Sequence, residues 1–179
     1  MIFITNLLTI LRILLAPVIF VFIAFEFNFL LSLILFLFAG LTDYFDGYMA
    51  RKYNATSTLG EILDPIADKV LVIFLFFGLA INLSSYIIGF AASIIITREI
   101  WISALRDLNS RTGNESATKV TYLAKIKTSV QMFSIFIYLV GLALKSMILV
   151  VIGDIFIIIA VLITVYTGYE YTLNSFKKE

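Results

Sequence analysis

The sequence predicts an all-α membrane protein with six transmembrane helices. Of its 179 residues, 61% are hydrophobic and only 14% are charged, whereas an average soluble domain is roughly 45–50% apolar and about 25% charged. The mean hydropathy is +1.06. A soluble protein of this length could not bury so much apolar surface. We therefore expect the lipid bilayer to surround most of the chain.

Six segments are apolar and long enough to be spans, because a transmembrane helix needs about 20 mostly apolar residues. They cover residues 8–27, 29–51, 60–81, 85–107, 124–144 and 146–172. The first lacks a basic stretch before it and a small-residue cleavage site after it, so we interpret it as a span rather than a signal peptide. The connections are short, and residues 1–179 are expected to form a single membrane domain.

The second and third spans carry acidic cytoplasmic ends. Their charge-free runs, residues 29–41 and 70–81, are too short to cross a bilayer alone. Each becomes long enough only if the neighbouring stretch, 42–51 or 60–69, is also helical. The 52–59 connection is short, so we expect these two spans to form an antiparallel hairpin with adjacent polar ends.

The distribution of Lys and Arg predicts the orientation of all six spans. Basic residues follow the second span, occupy the connection after the fourth and end the chain, whereas the three alternate connections contain only Lys145. Basic residues favour the cytoplasmic side. Both termini and the connections 51–59 and 107–123 are therefore expected to be cytoplasmic. Asp154, near the outer end of the sixth span, is expected to make an interhelical hydrogen bond.

Four aspartates should converge at the cytoplasmic end of the hairpin. Asp43 and Asp46 are three residues apart, and Asp64 and Asp68 are four apart, so each pair shares one helix face. Charged groups at membrane depth are costly and usually functional. A salt-bridge cluster with Lys69 and Arg51 is the structural alternative.

The residue types available restrict the chemistry of this cluster. The chain contains neither Cys nor His, so catalysis and metal binding must use other side chains. Oxygen ligands alone select hard cations such as Mg²⁺, Mn²⁺ or Ca²⁺. Four carboxylates can hold two such ions, an arrangement suited to displacement at phosphorus. A net charge of +1 argues against nucleic acid as a partner.

The acidic stretch resembles the signature of the CDP-alcohol phosphotransferase family. Eight residue types at fixed spacing carry the resemblance, which is far more specific than a short motif. They read Asp43-x2-Asp46-Gly47-x2-Ala50-Arg51-x8-Gly60-x3-Asp64-x3-Asp68.

The resemblance implies a homodimeric membrane enzyme that uses two divalent ions, Mg²⁺ or Mn²⁺. It moves a substituted phosphate from a CDP-linked donor to an alcohol. By this resemblance the four aspartates are metal ligands, and Asp68 is also the general base. The residues implied to bind the CDP-lipid are Thr42, Gly47, Ala50, Arg51, Ser57 and Gly60.

Further matches resemble the bacterial branch that joins CDP-diacylglycerol to glycerol-3-phosphate at the cytoplasmic side of the inner membrane. They include Asn6-x2-Thr9-x2-Arg12 near the start of the chain. Basic residues at the ends of the fourth and fifth spans suit a phosphate on the acceptor. The candidate acceptor-binding residues are Arg98, Arg106, Lys125 and Lys127. The general excess of Lys and Arg on the cytoplasmic side of membrane proteins would explain these four residues without a binding role.

Two other interpretations remain open. The same donor chemistry could serve another acceptor, either phosphatidylglycerol, as in a cardiolipin synthase, or inositol phosphate. From a different class, buried acids could line the cation path of an ion transporter. A transporter would not need Arg51, Ser57 and the glycines around its acids, and release of CMP from CDP-diacylglycerol would separate the two classes.

Overall fold

Six α-helices follow one another along the chain in a computed structural model that describes residues 2–53, 58–118 and 121–177. The described residues contain no strand, which confirms the all-α class. The helices are α1 (Ile2–Ala24), α2 (Phe29–Tyr53), α3 (Thr58–Asn82), α4 (Tyr86–Thr112), α5 (Tyr122–Ala143) and α6 (Met147–Phe176), with a 3₁₀ turn at Glu115–Thr118. Each predicted span lies on its own helix.

The apolar character of these helices identifies a multi-pass membrane protein. Within the described residues, four helices are long and apolar enough to cross a membrane, namely α1, α4, α5 and α6. Helix α2 offers a shorter apolar stretch, Phe29–Phe45. The acids of the second and third predicted spans shorten their apolar runs. The crossing of all six helices and the cytoplasmic termini stay predictions.

Large apolar side chains lie on the outside of the bundle as well as in its core. Ile19, Leu75 and Tyr138 are fully buried between helices, whereas Phe90 and Ile148 are 71% and 75% exposed. So much exposed apolar surface would promote association in water, and it suits contact with lipid.

Three turns of one kind close the end of the bundle opposite Asp43, Asp64 and Asp68. Glu26, Ser84 and Lys145 have positive φ angles of 58°, 47° and 54°. In the first turn, the Phe27 backbone N–H donates to the Phe22 carbonyl oxygen at 3.1 Å, and the other turns repeat this bond. This is the Schellman ending, which satisfies the last carbonyl groups of a helix. The turns lie where the sequence predicted the outer connections.

Helix packing leaves a gap between α4 and α5. Helix α1 packs against α2 and α3, α6 packs against α4 and α5, and α3 contacts both α4 and α5. In the part of the chain that the structure describes, no Cα atom of α4 lies within 8 Å of a Cα atom of α5. The space between these two helices is therefore bridged by side chains rather than closed by helix packing.

Candidate active site

The acidic stretches of α2 and α3 are helical, as the sequence predicted. The two helices do not pack side by side as the expected hairpin, because among the described residues no Cα atom of α2 lies within 8 Å of a Cα atom of α3, and α1 packs against both instead. Helix α2 continues beyond Asp43 to Tyr53, and α3 begins at Thr58, ahead of Asp64 and Asp68. Ser57 lies outside the described residues, and so do the side chains of Asp46, Gly47, Ala50 and Arg51, whose backbone belongs to α2. The predicted roles of these five residues stay predictions.

A buried arginine of α1 joins an aspartate of α2 to an aspartate of α3. Arg12 is fully buried, and its Nη1 atom lies 2.7 Å from Oδ1 of Asp43 and 2.7 Å from Oδ1 of Asp68. The two carboxylate oxygens are therefore no more than twice that distance apart. Their side chains remain 49% and 40% exposed, so both are also open to a ligand.

Asp64, the third described aspartate, is held by a hydroxyl group of α1. Thr9 Oγ1 donates a hydrogen bond to Oδ1 of Asp64 at 2.7 Å. Thr9 is itself buried, one helical turn before Arg12. One face of α1 thus orients carboxylates on both α2 and α3.

The cation found among the aspartates differs from the pair that the salt-bridge alternative named. Lys69 donates a hydrogen bond to Ser103 Oγ on α4 at 2.8 Å, and the Arg51 side chain is outside the described residues. Arg12 occupies the neutralising position between Asp43 and Asp68. The sequence signal for this role is a cation within an apolar span, which is costly unless it is paired.

The described side chains are compatible with a metal site and do not by themselves complete one. Among them, no three acidic groups lie close enough to hold an ion together, and Asp46 is not included. The donor set fits a hard divalent cation, because Asp43, Asp64 and Asp68 offer carboxylate oxygens from α2 and α3 around the same face of α1. Two of these groups already converge on a positive charge.

A cavity of about 450 Å³ extends from Asp68 between α3, α4 and α5. All four predicted acceptor-binding residues line it, and so do Lys69 and Glu99. The four are Arg98, Arg106, Lys125 and Lys127. The fold therefore brings the predicted general base and the predicted basic residues to one cavity, although they come from three helices.

Several contacts fix Arg98 at the wall of this cavity. Its Nη2 donates to Thr167 Oγ1 at 2.9 Å, and its guanidinium group lies 5.6 Å from the centre of the Tyr171 ring. Gly168 leaves room for it, because a Cβ atom there would come within 3.1 Å of Arg98 Cγ. Contact with an aromatic face adds a cation–π attraction.

Among the described residues, Glu99 is the acidic side chain that pairs with two of these cations. Its Oε1 accepts hydrogen bonds from Arg98 Nη1 at 3.0 Å and from Lys127 Nζ. The side chain of Lys127 is 6% exposed and that of Glu99 is 18% exposed. Sequence reasoning did not assign Glu99 to the site, and its signal is the same as for Arg12, a charged residue within an apolar span.

Acidic and basic side chains meet at one end of a helix bundle whose helices are apolar and long enough for a membrane protein. The chain belongs to the CDP-alcohol phosphatidyltransferase family, whose sequence model matches residues 2–166. This match confirms the family that the aspartate signature predicted.

Similar bacterial proteins carry one name, CDP-diacylglycerol–glycerol-3-phosphate 3-phosphatidyltransferase. The protein of Rickettsia felis is 37% identical over 174 residues, which are 93% of this chain and 91% of the relative. That of Pectobacterium atrosepticum is 40% identical over 137 residues, 74% of each chain. That of Rickettsia bellii is 38% identical over 146 residues, 79% of this chain and 77% of the relative.

Proposed function

We propose that this chain transfers the phosphatidyl group of CDP-diacylglycerol to glycerol-3-phosphate, which yields phosphatidylglycerophosphate and CMP. The observation that carries the proposal is the cavity in which Asp68 shares a wall with four basic residues. The names of the similar bacterial proteins support it. The reaction belongs to phospholipid biosynthesis.

The donor half of the site is formed by the acidic ends of α2 and α3. We assign two divalent ions, Mg²⁺ or Mn²⁺, to Asp43, Asp46, Asp64 and Asp68. Bound ions would supply neutralisation of the donor diphosphate and of the leaving CMP. The nucleotide and headgroup are assigned to Thr42, Gly47, Ala50, Arg51, Ser57 and Gly60. Arg12 and Thr9 support this half by fixing the orientation of three carboxylates.

The acceptor half is the basic cavity. The phosphate of glycerol-3-phosphate is close to dianionic at neutral pH, and charge-assisted hydrogen bonds from Arg98, Arg106, Lys125 and Lys127 suit it. Asp68 lies at the junction of the two halves and accepts the proton of the attacking primary hydroxyl group. That oxygen then bonds to the phosphorus of the phosphatidyl group as the bond between this phosphorus and the CMP oxygen breaks.

The proposal includes the cellular setting. We place the protein in the bacterial inner membrane as a homodimer, with six spans, both termini in the cytoplasm and the active site at the cytoplasmic side. CDP-diacylglycerol would keep its acyl chains in the bilayer while its headgroup meets soluble glycerol-3-phosphate at that surface. The basic flanks of the spans support this orientation.

One assay tests the proposal. Purified protein in detergent is given CDP-diacylglycerol and Mg²⁺ or Mn²⁺, and offered glycerol-3-phosphate, phosphatidylglycerol, inositol phosphate and serine in turn. CMP and the lipid product are measured. We expect release of CMP with glycerol-3-phosphate and formation of phosphatidylglycerophosphate. A preference for another acceptor would overturn the acceptor assignment, and no CMP with any acceptor would overturn the transferase itself.

A further inference from the structure

Glu99 and Lys127 connect two helices whose backbones do not approach each other closely. Within the described residues, the backbones of α4 and α5 stay more than 8 Å apart at every Cα. The ion pair between Glu99 on α4 and Lys127 on α5 crosses this gap. Both residues line the proposed acceptor cavity. The pair therefore lies where an acceptor phosphate would enter.

The two cations of this cluster are held very differently. Arg98 has contacts with Thr167 and Tyr171 in addition to Glu99. Lys127, in contrast, has Glu99 as its one hydrogen-bond partner among the described residues. Arg98 is thus fixed by α6, whereas the position of Lys127 depends on the Glu99 carboxylate.

A carboxylate in a cavity that binds an anion weakens binding, because the two negative charges repel each other. Its presence there therefore suggests another function. Without acceptor, Glu99 spares Lys127 the cost of an unpaired buried charge. When Lys127 leaves it, Glu99 keeps its bond to Arg98, so no charge is left unpaired. Of the two cations, Lys127 is therefore the one that can leave Glu99 for an acceptor phosphate.

We propose that Glu99 is a specificity-determining residue that holds Lys127 until a phosphate monoester displaces it. The inference rests on the proposed function and names what the acceptor site selects. Lys127 exchanges one carboxylate charge for a group with a charge of about −1.5 to −2 at pH 7. A phosphodiester carries a single negative charge, and a neutral alcohol carries none. The diester therefore gives Lys127 no more charge than the carboxylate that it leaves, and the alcohol gives it none.

Two matched acceptors test this selection. Glycerol-3-phosphate and its methyl phosphodiester share the glycerol group and differ by one ionisation. We expect wild-type protein to prefer the monoester strongly in kcat/KM. In Glu99→Gln, the KM for the methyl diester should fall and the preference should shrink at least about tenfold, which is what one charge-assisted hydrogen bond is worth. Glu99→Asp keeps the charge and should keep the preference.

The direction of the KM change in Glu99→Gln shows whether Glu99 selects between acceptors or only positions Lys127. If Glu99 only holds Lys127 in place, Glu99→Gln raises the KM for both acceptors and leaves their ratio unchanged, which overturns the proposal. Asp107→Asn is the matched control, because Asp107 is on the same helix and pairs with Arg111 on the exposed surface. It should change neither KM.

Three further outcomes are distinguishable. Removing the carboxylate leaves two buried cations, so Glu99→Gln could fail to fold. Glu99→Ser, which leaves room for water beside Lys127, is then the deciding variant under the same criterion. If wild type uses glycerol-3-phosphate without preferring it to the methyl diester, the inference is wrong and the proposed function stands. If wild type does not use glycerol-3-phosphate, the proposed function itself fails.

Discussion

Replacing Arg12 is the most informative perturbation of the donor half of the site. Its guanidinium group is fully buried and lies 2.7 Å from one oxygen of Asp43 and one of Asp68. Each charge-assisted hydrogen bond contributes about 1.5–3 kcal/mol. Because both carboxylates are partly exposed, water can replace some of this energy. We therefore expect Arg12→Gln to lower the free energy of unfolding by about 2–4 kcal/mol.

Arg12→Gln should lower turnover as well as stability. Two repelling carboxylates would lose the group that orients them, and small misplacements in a catalytic site cost on the order of 100-fold in rate. CMP release and thermal unfolding in detergent measure the two effects. Arg12→Lys keeps the charge and should recover part of the turnover. Arg111→Gln, at an exposed ion pair, is the control. Wild-type turnover in folded Arg12→Gln would refute the positioning role.

Four other results are expected. Asp43→Asn should abolish turnover, as should EDTA on the wild type until Mg²⁺ or Mn²⁺ is restored, and full activity in EDTA would contradict the metal assignment. Asp68→Asn should slow turnover about 10²–10⁴-fold while donor binding persists; near-normal turnover would exclude it as the base. Lys127→Ala should raise the KM for glycerol-3-phosphate about 10- to 100-fold and leave that for CDP-diacylglycerol nearly unchanged, and a normal acceptor KM would contradict the cavity. Gly153→Ala should cost about 1–3 kcal/mol of stability, because its Cβ would lie 2.8 Å from the Tyr138 ring, whereas Gly40→Ala, with open space around it, should unfold like the wild type.

The helices were predictable because the bilayer fixes their length and apolar character. The predicted ends differ from the observed ones by a few residues. The largest difference is at α1, which begins at Ile2 rather than at residue 8. Thr5 and Asn6 interrupt the apolar run near the start of α1 without preventing helix formation, so an uninterrupted apolar run places the helix start too late. The interhelical hydrogen bond expected of Asp154 is confirmed, since Tyr138 Oη donates to it at 2.6 Å.

The aspartate cluster was predictable from spacing, whereas its cation was not. Spacings of three and four residues place carboxylates on one helix face, and a short connection joins the two helices. Arg12 is 56 positions from Asp68 along the chain. Only the packing of α1 against α3 brings them together, and residue spacing carries no information about that contact.

The role of Glu99 was hidden for a local reason. Neighbouring residues of a helix point in different directions, so the sequence gives no reason to pair Glu99 with Arg98. In the structure the Glu99 carboxylate reaches both Arg98 and Lys127. The basic residues of the cavity were predicted because several positive charges cluster at the ends of two spans. One glutamate within that cluster leaves the excess of positive charge almost unchanged, so the sequence did not draw attention to Glu99.

The burial of Arg12 has a consequence for biogenesis. Helix α1 is synthesised before α2 and α3, which supply the carboxylates that Arg12 contacts. A cation at membrane depth costs roughly 2.5–3.5 kcal/mol on insertion scales. During synthesis this charge stays uncompensated until the ribosome has released the segment that contains Asp43, and it meets its second carboxylate only with Asp68. We expect a chain truncated before Asp43 to carry an unmatched positive charge in α1 and therefore to insert into the membrane less readily than the full chain.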